Sequence, residues 1–296
     1  MAKDSLQLSD VLRCPQPPVD INKIDTGATP EAPGDKERTL KEFEPMAEEL
    51  SELQETLFAR GRSNPDEARR VLVVLQGLDT AGKGGVVRHV FGLVDPQGIH
   101  HHSFKAPTDE ELKHDFLWRV RKALPEPGML GVFDRSHYED VLVARVDNLV
   151  EEKVWKERYD LINEFELGLA ADGCKVVKCF LHISPDAQKE RLQARLDDPA
   201  KYWKYNPGDL DTRSKWPDYM DAYNDLLSKC NPDVAPWYII PSDRKWYRNW
   251  AVGRILLETM RSMKLTWPPA DFDVDKEKER LGNCLLYTSD AADEGL

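Results

Sequence analysis

The most constraining feature of the sequence is an apolar run that is followed at once by a glycine-rich segment. VLVVLQ (71–76) has the continuous hydrophobicity of a strand that is buried on both faces of a parallel sheet. GLDTAGKGG (77–85) comes next, and VVRHVFGLV (86–94) has the pattern of a helix. In this strand, loop and helix order, the pattern Gly-x-x-x-x-Gly-Lys is typical of a loop whose backbone N–H groups bind phosphate. The sequence therefore predicts a phosphate site at the end of this strand.

The predicted loop has one lysine and one carboxylate that bear on its chemistry. Lys83 adds a positive charge, whereas Asp79 places a negative charge where phosphate should lie. Gly84 stands where a Ser or Thr hydroxyl usually ligates magnesium. We therefore expect Asp79 to hold Mg²⁺, with Mn²⁺ as an alternative ion, and a structural turn cap is the other role open to Asp79. The remaining loop residues expected at the phosphate are Gly77, Thr80, Ala81, Gly82, Gly84 and Gly85. A tight glycine turn with an exposed lysine is the alternative for the whole segment.

Apolar runs and helical patterns alternate along the rest of the chain. Further strands are predicted at 99–104, 129–134, 175–183 and 237–241. Helices are predicted at 40–60, 108–124, 138–146, 151–171, from 185 onward and at 246–263. The helix at 108 would begin with a capping box that pairs Thr108 with Glu111. This alternation predicts an α/β fold with an open parallel sheet of five strands, covered by helices on both faces.

A second pair of charged residues follows the strand at 129–134. Asp134 ends this strand and Arg135 follows it. Ligands bind at the carboxyl ends of parallel strands, so both side chains are expected in the same crevice as the glycine-rich loop. Asp134 would be a second metal ligand, and Arg135 would hold a transferring phosphoryl group. A local ion pair at the end of the strand is the alternative.

The charge of the chain limits its partners. A formal net charge of -12 argues against broad binding of nucleic acids or membranes. A polyanion would have to bind a local basic patch, and residues 189–216 provide one, although a solvated helix face is the alternative. The first residues lack the apolar core of a signal peptide, and the five cysteines form no Cys-x-x-Cys pair, so we expect a cytoplasmic protein.

Four separated motifs resemble those of the family-2 polyphosphate kinases. They are GLDTAGKGG (77–85), HSFKAPTDEELKHDFLWR (102–119), FDRSHYEDVLVARV (133–146) and PWYIIPSDRKWYRN (236–249). The resemblance implies a thymidylate-kinase-like P-loop kinase fold of three layers with a helical lid. It also implies magnesium dependence and reversible phosphoryl transfer between inorganic polyphosphate and AMP or ADP, with GMP and GDP left open. A homo-oligomer, either a dimer or a tetramer, is expected from the family.

The resemblance also assigns roles to individual residues. It implies a reaction centre of Asp79, Lys83, Asp134 and Arg135, with Arg119 as a further phosphate contact. From their position just past the second predicted strand, Phe104 is expected to stack on a base and Lys105 to contact phosphate, although core packing is the alternative for Phe104. A lid at about 186–216 would line a polyphosphate channel with Arg191, Arg195, Lys201, Lys204 and Lys215. His137 is expected at the surface. Asp243, Lys245 and Arg248 would either approach the nucleotide or simply begin the last helix.

These patterns divide the chain into three parts. Residues 1–35 would form an extended arm, residues 36–268 the kinase domain with its lid, and residues 269–296 a tail. CLLYTSDAADEGL (284–296) resembles a translated sequencing adapter and is therefore expected to be non-native. Two other functions remain open: an ATP-dependent nucleoside monophosphate kinase, and a non-catalytic module that binds polyphosphate.

Overall fold

One five-stranded sheet forms the centre of the molecule, for which a computed structural model describes residues 7–284. The strands are β1 (Arg70–Gln76), β2 (Ile99–Ser103), β3 (Leu130–Asp134), β4 (Cys174–His182) and β5 (Trp237–Pro241). They lie in the order β2-β3-β1-β4-β5, and all neighbours are parallel. The predicted sheet is confirmed, and each strand begins and ends at or next to the expected residue.

Helices cover both faces of this sheet. The α-helices are α1 (Leu8–Leu12), α2 (Lys36–Lys41), α3 (Phe43–Ser63), α4 (Lys83–His89), α5 (Trp118–Lys122), α6 (Glu139–Val146), α7 (Glu152–Ala171), α8 (Pro185–Leu196), α9 (Gly208–Ser214), α10 (Trp216–Lys229), α11 (Lys245–Ser262) and α12 (Val274–Gly282). α11 packs against α3 and α4, whereas α6 packs against α7 and α10. These two groups form the outer layers of a three-layer α/β structure.

The inner strands β1, β3 and β4 are buried because helices cover the sheet on both sides. Residues 71–75 of β1 have no exposed surface, which explains their unbroken apolar sequence. On α11 the predicted inward stripe is also fully buried: Ala251, Ile255, Leu256 and Met260. The apolar spacing of the sequence therefore reports the packing of both central and outer layers.

The helix predicted at 108–124 is wrong in its extent. The capping box forms, because Thr108 N donates to the Glu111 carboxylate at 2.7 Å and Glu111 N donates to Thr108 Oγ1 at 3.3 Å. It begins a 3₁₀ turn at Glu111–Lys113, and α5 begins five residues later. The Asp115 carboxylate accepts a hydrogen bond from Leu117 N at 3.1 Å. This local turn competes with a continuous helix.

The arm expected at residues 1–35 lies against the body of the molecule where the structure describes it. Leu8, Leu12 and Ile21 are buried, and Glu258 of α11 accepts hydrogen bonds from the N–H groups of Leu8 and Ser9. Residues 1–6 and all but the first residue of the segment expected to be non-native lie outside the described residues.

Loss of the Ile21 side chain should destabilise the whole fold. Ile21 is fully buried, so Ile21→Ala is expected to lower the free energy of unfolding by about 2–5 kcal/mol. Urea denaturation followed by circular dichroism measures this change. Leu112 is 68% exposed, and Leu112→Ala, the matched control, should stay within about 0.5 kcal/mol of the parent. Equal effects of the two substitutions would contradict the docked arm.

Candidate active site

Strand register brings the glycine-rich loop and the end of β3 together. Leu75 near the end of β1 pairs with Asp134 at the end of β3. The peptide N–H of Arg135 donates to the carbonyl of Leu75 at 3.1 Å. The loop that begins at Gly77 and the pair Asp134–Arg135 therefore emerge side by side at the carboxyl edge of the sheet.

The loop backbone is tightly curled. Thr80 and Gly82 have positive φ angles of 63° and 112°. A residue such as Thr80 in this conformation costs on the order of 1–3 kcal/mol, which the surrounding contacts must offset. At Gly82 an added Cβ would meet Nη1 of Arg248 at 1.8 Å, and at Gly85 it would meet Nη2 of the same residue at 2.7 Å. The glycines therefore allow both the curl and a close arginine.

Lys83 is folded into the loop and is not the exposed lysine of a simple glycine turn. It is 8% exposed, and its Nζ donates to the carbonyl of Gly77 at 2.8 Å. A second carbonyl, that of Leu78, lies 3.5 Å from Nζ. The ammonium thus sits inside the curl of the loop.

Asp79 and Arg135 connect the loop to the end of β3. Arg135 Nη2 donates to Asp79 Oδ1 at 2.9 Å, across 56 positions of sequence. Burial opposes the charge of Arg135, but the carboxylates of Glu139, Asp79 and Asp134 outweigh it and raise the pKa of the guanidinium. Asp79 therefore makes an ion pair with a residue far away in the sequence. The sequence had left open a purely local role for Asp79 as a turn cap.

Two cavities adjoin at Arg135 and Glu139, which line both. The first has a volume of about 310 Å³ and reaches the loop at Gly77 and Asp79. The second has a volume of about 190 Å³ and is lined by Phe104, Lys105 and Arg119, among others. The shared wall is the place where groups held in the two cavities would meet.

Glu139 is a site residue that the sequence reasoning missed. Burial raises the pKa of its carboxyl group, although Arg135 and Lys83 oppose that shift. The acidic residue after HY in FDRSHYED was the available signal. Whether the Glu139 side chain points toward the site depends on α6 beginning at Glu139. The apolar pattern of the sequence alone does not locate that boundary.

The first cavity is acidic. Its lining includes the carboxylates of Asp79, Glu139, Asp147 and Asp209, against the single guanidinium of Arg135. Asp209 comes from α9 of the predicted lid, and burial followed by the charge of Asp79 raises its pKa. An anion entering this cavity therefore needs further positive charge.

The second cavity contains the residues expected at the nucleotide. Phe104 is buried and packs edge-on against Phe133, with ring centroids 5.0 Å apart. The Arg119 guanidinium lies 5.4 Å from the centroid of the Phe104 ring and donates to the carbonyl of Lys105 at 2.8 Å. Phe104 thus packs in the core and also lines this cavity.

Arg191 and Arg248 hold the glycine-rich loop from outside. Arg191 donates to the carbonyls of Thr80 and Ala81 at 2.8 and 3.2 Å, and also to those of Ser242 and Asp243. Arg248 Nη1 donates to Ala81 at 3.0 Å. Burial and then the charge of Arg191 lower the pKa of Arg248 to about 9. Arg248 is therefore a loop contact rather than only the beginning of a helix.

The other predicted channel cations lie in or beside the lid with partners of their own. Arg195 donates to the carbonyl of Lys204 and to Asp209, at 2.8 and 3.2 Å. Lys201 pairs with Asp198, and Lys215 with Asp147, each at 2.7 Å. The cation of Lys204 lies 4.9 Å from the Trp203 ring centroid. The pairs of Lys201 and Lys215 lie at the surface, where ion pairs are weak, whereas Asp209 is buried.

His137 was expected at the surface, and this expectation is wrong. Its side chain is 1% exposed and contacts Glu166 of α7 at 3.2 Å. The segment after Arg135 turns into the core before α6 begins, which residue polarity alone does not reveal.

Two kinds of feature are absent from the part of the chain that the structure describes. Between residues 7 and 284, no three side chains of the His, Cys, Asp or Glu type are grouped so as to hold a metal ion. In the same part of the chain, no helix combines the length and apolar character that crossing a membrane requires.

Comparison with known proteins decides the family. The family model described as polyphosphate kinase 2 matches residues 35–267. The chain belongs to the polyphosphate kinase 2 family. A polyphosphate kinase 2 structure from Arthrobacter aurescens TC1 superposes with a TM-score of 0.91 at 45% identity, covering 96% of this chain and 99% of that one.

Two curated relatives of this polyphosphate kinase 2 family member align over most of their length. The AMP/ADP-polyphosphate phosphotransferase of Meiothermus ruber is 44% identical, over 87% of this chain and 94% of the relative. The ADP-polyphosphate phosphotransferase of Rhodopseudomonas palustris is 42% identical, over 84% of this chain and 88% of the relative. The family has the P-loop kinase fold, as the loop and sheet order indicate.

The space around Gly82 gives a test of the loop geometry. Gly82→Ala should lower the free energy of unfolding by about 1–3 kcal/mol, because the new Cβ meets Arg248 and φ is 112°. Gly84→Ala is the matched control, since an added Cβ there meets nothing within 4 Å. It should be neutral or stabilise by up to about 1 kcal/mol. Chemical denaturation measures both, and a harmless Gly82→Ala would contradict the close approach of Arg248.

Proposed function

We propose that this chain transfers the terminal phosphoryl group of inorganic polyphosphate to AMP or ADP, reversibly and with magnesium. The observation that carries the proposal is the pair of adjoining cavities with Arg135 and Glu139 in their shared wall. One cavity ends on the glycine-rich loop, and the other holds an aromatic ring beside basic residues. The names of the relatives from Meiothermus ruber and Rhodopseudomonas palustris support the same substrates.

The residues divide the work of an in-line transfer. A terminal oxygen of the nucleotide phosphate attacks the end phosphorus of polyphosphate, the bond to the chain breaks, and the shortened chain leaves with the electron pair. Arg135 faces the transferring group with a planar pair of donors, and Lys83 adds charge from within the loop. Positioning and charge stabilisation provide most of the acceleration in phosphoryl transfer.

The donor set suits a hard divalent cation. Asp79 and Asp134 would hold Mg²⁺, or Mn²⁺, because Mg²⁺ in kinases binds one or two carboxylates and completes its shell with substrate phosphates and water. The cation would supply the positive charge that four carboxylates in the first cavity require before a polyanion can enter.

The lid would guide the polyphosphate chain toward the loop. Lys201, Lys204, Lys215 and Arg195 offer cations in series for a polymer that carries one charge per phosphate. Arg191 has a different role in this proposal, because its guanidinium holds four carbonyls that join the loop to the end of β5. The expected homo-oligomer stays a prediction, which light scattering would check.

Product analysis tests the donor directly. Incubation with AMP, long-chain polyphosphate and Mg²⁺, without ATP, should yield ADP and then ATP, detected by anion-exchange chromatography. Incubation with ADP should yield ATP. Turnover that needs added ATP as the donor would favour a nucleoside monophosphate kinase instead. Tight polyphosphate binding without any product would favour a non-catalytic module.

Replacement of Asp79 tests the reaction centre. Asp79→Asn should lower kcat roughly a hundredfold or more while the fold is retained, because it removes one proposed metal ligand and the ionic partner of Arg135. Asp66→Asn makes the same chemical change at an exposed position and should leave kcat unchanged. Native turnover in a correctly folded Asp79→Asn protein would rule out the proposed role.

A further inference from the structure

The backbone at Arg135 needs support from its surroundings. Its φ angle is 64°, in the left-handed region that non-glycine residues seldom adopt. The guanidinium reaches Asp79 from this position. Any relaxation of the turn would therefore move the cation away from the wall that the two cavities share.

The residue after Arg135 is fixed to the central strand. Gln76 Nε2, at the end of β1, donates to Ser136 Oγ at 3.0 Å. The same oxygen accepts from Tyr138 N at 3.2 Å. Gln76 and Ser136 are both fully buried, so water does not compete for these bonds.

The next two residues are fixed to a buried ion pair. Glu166 of α7 accepts from the Tyr138 hydroxyl at 2.7 Å and contacts the His137 Nε2 at 3.2 Å. Lys178 of β4 donates to Glu166 at 2.5 Å, to the Tyr138 hydroxyl at 2.9 Å and to the carbonyl of Cys230 at 2.8 Å. Lys178 and Glu166 have no exposed surface.

The Glu166 carboxyl group favours its ionised form. Burial raises the pKa of Glu166, but Lys178 and His137 outweigh it, so the pKa lies below its ordinary value. An ionised carboxylate accepts hydrogen bonds only, so the His137 ring donates through Nε2. Each bond from Glu166 to the segment after β3 therefore has a fixed direction.

Stability alone does not account for such a pair. Two charges withdrawn from water seldom strengthen a fold, and well-packed apolar residues often replace them without loss. Three of the four polar contacts of Glu166 and Lys178 outside their own ion pair end on His137 or Tyr138. Those residues follow directly after Arg135 and Ser136.

We propose that Glu166 and Lys178 are positioning residues, which hold the turn at 135–138 so that the Arg135 guanidinium faces the transferring phosphoryl group. This inference rests on the proposed function of Arg135. The pair acts through His137 and Tyr138 and touches neither substrate.

Two double variants separate positioning from stability. Glu166→Leu with Lys178→Met removes both charges and the acceptor of His137 and Tyr138. Glu166→Gln with Lys178→Met removes the charges but keeps an acceptor oxygen. We expect the first to lose kcat roughly ten- to a hundredfold, with the KM for AMP changed less than about threefold, and the second to recover most of kcat.

Glu258→Leu is the matched control for the loss of a buried carboxylate. Glu258 holds the N–H groups of Leu8 and Ser9, remote from the loop. It should lower the thermal midpoint while leaving kcat per folded molecule unchanged. Steady-state kinetics and thermal unfolding are measured on all three variants. The inference is overturned if the leucine–methionine variant keeps native kcat, or loses it only in proportion to its folded fraction.

Crystal structures of the two double variants give a readout that does not depend on turnover. Arg135 Nη2 and Asp79 Oδ1 lie 2.9 Å apart here. This distance should lengthen beyond hydrogen-bond range in the leucine–methionine variant and stay the same in the glutamine–methionine variant. An unchanged distance in both would overturn the positioning role. Failure of the parent protein to use polyphosphate would instead contradict the proposed function, and the distance would still test the pair.

Discussion

Parallel pairing of β1 with β3 is the constraint on which the rest of the site depends. This register places Leu75 beside Asp134, so that the glycine-rich loop and the turn at Arg135 leave the sheet together. The ion pair between Arg135 and Asp79 then connects two segments that are far apart in sequence. Every proposed catalytic role follows from that meeting at the carboxyl edge of the sheet.

Charged side chains of both signs surround the glycine-rich loop, and their balance affects which ligands can bind there. We propose that the loop binds phosphate through its backbone, yet four carboxylates line the first cavity beside it. In the proposed function, a divalent cation held by Asp79 and Asp134 would offset this negative charge and so let a polyanion approach. Arg191 and Arg248 donate to carbonyl groups of the loop from behind, so they restrain its backbone.

Sequence patterns could locate the sheet, the loop and the end of β3 because these features depend on local spacing. The unbroken apolar run at 71–76 and the alternation of strands and helices fit few folds other than a parallel sheet covered by helices. Long-range contacts were out of reach. The neighbouring sequence does not show that His137 turns toward Glu166 or that Glu139 faces Arg135. Nor does it show that Arg191 donates its hydrogen bonds to backbone carbonyls. The prediction of one continuous helix over 108–124 was wrong because the Asp115 carboxylate forms a local turn.

A crystal structure of the protein with AMP, Mg²⁺ and a non-hydrolysable polyphosphate analogue is the most direct test of the central claim. The account predicts that the AMP phosphate and the end of the analogue meet at Arg135, with oxygens about 3 Å from its guanidinium and from Lys83 Nζ. Asp79 and Asp134 should contact the metal or its water. Binding of either anion away from Arg135 and Lys83 would contradict the account.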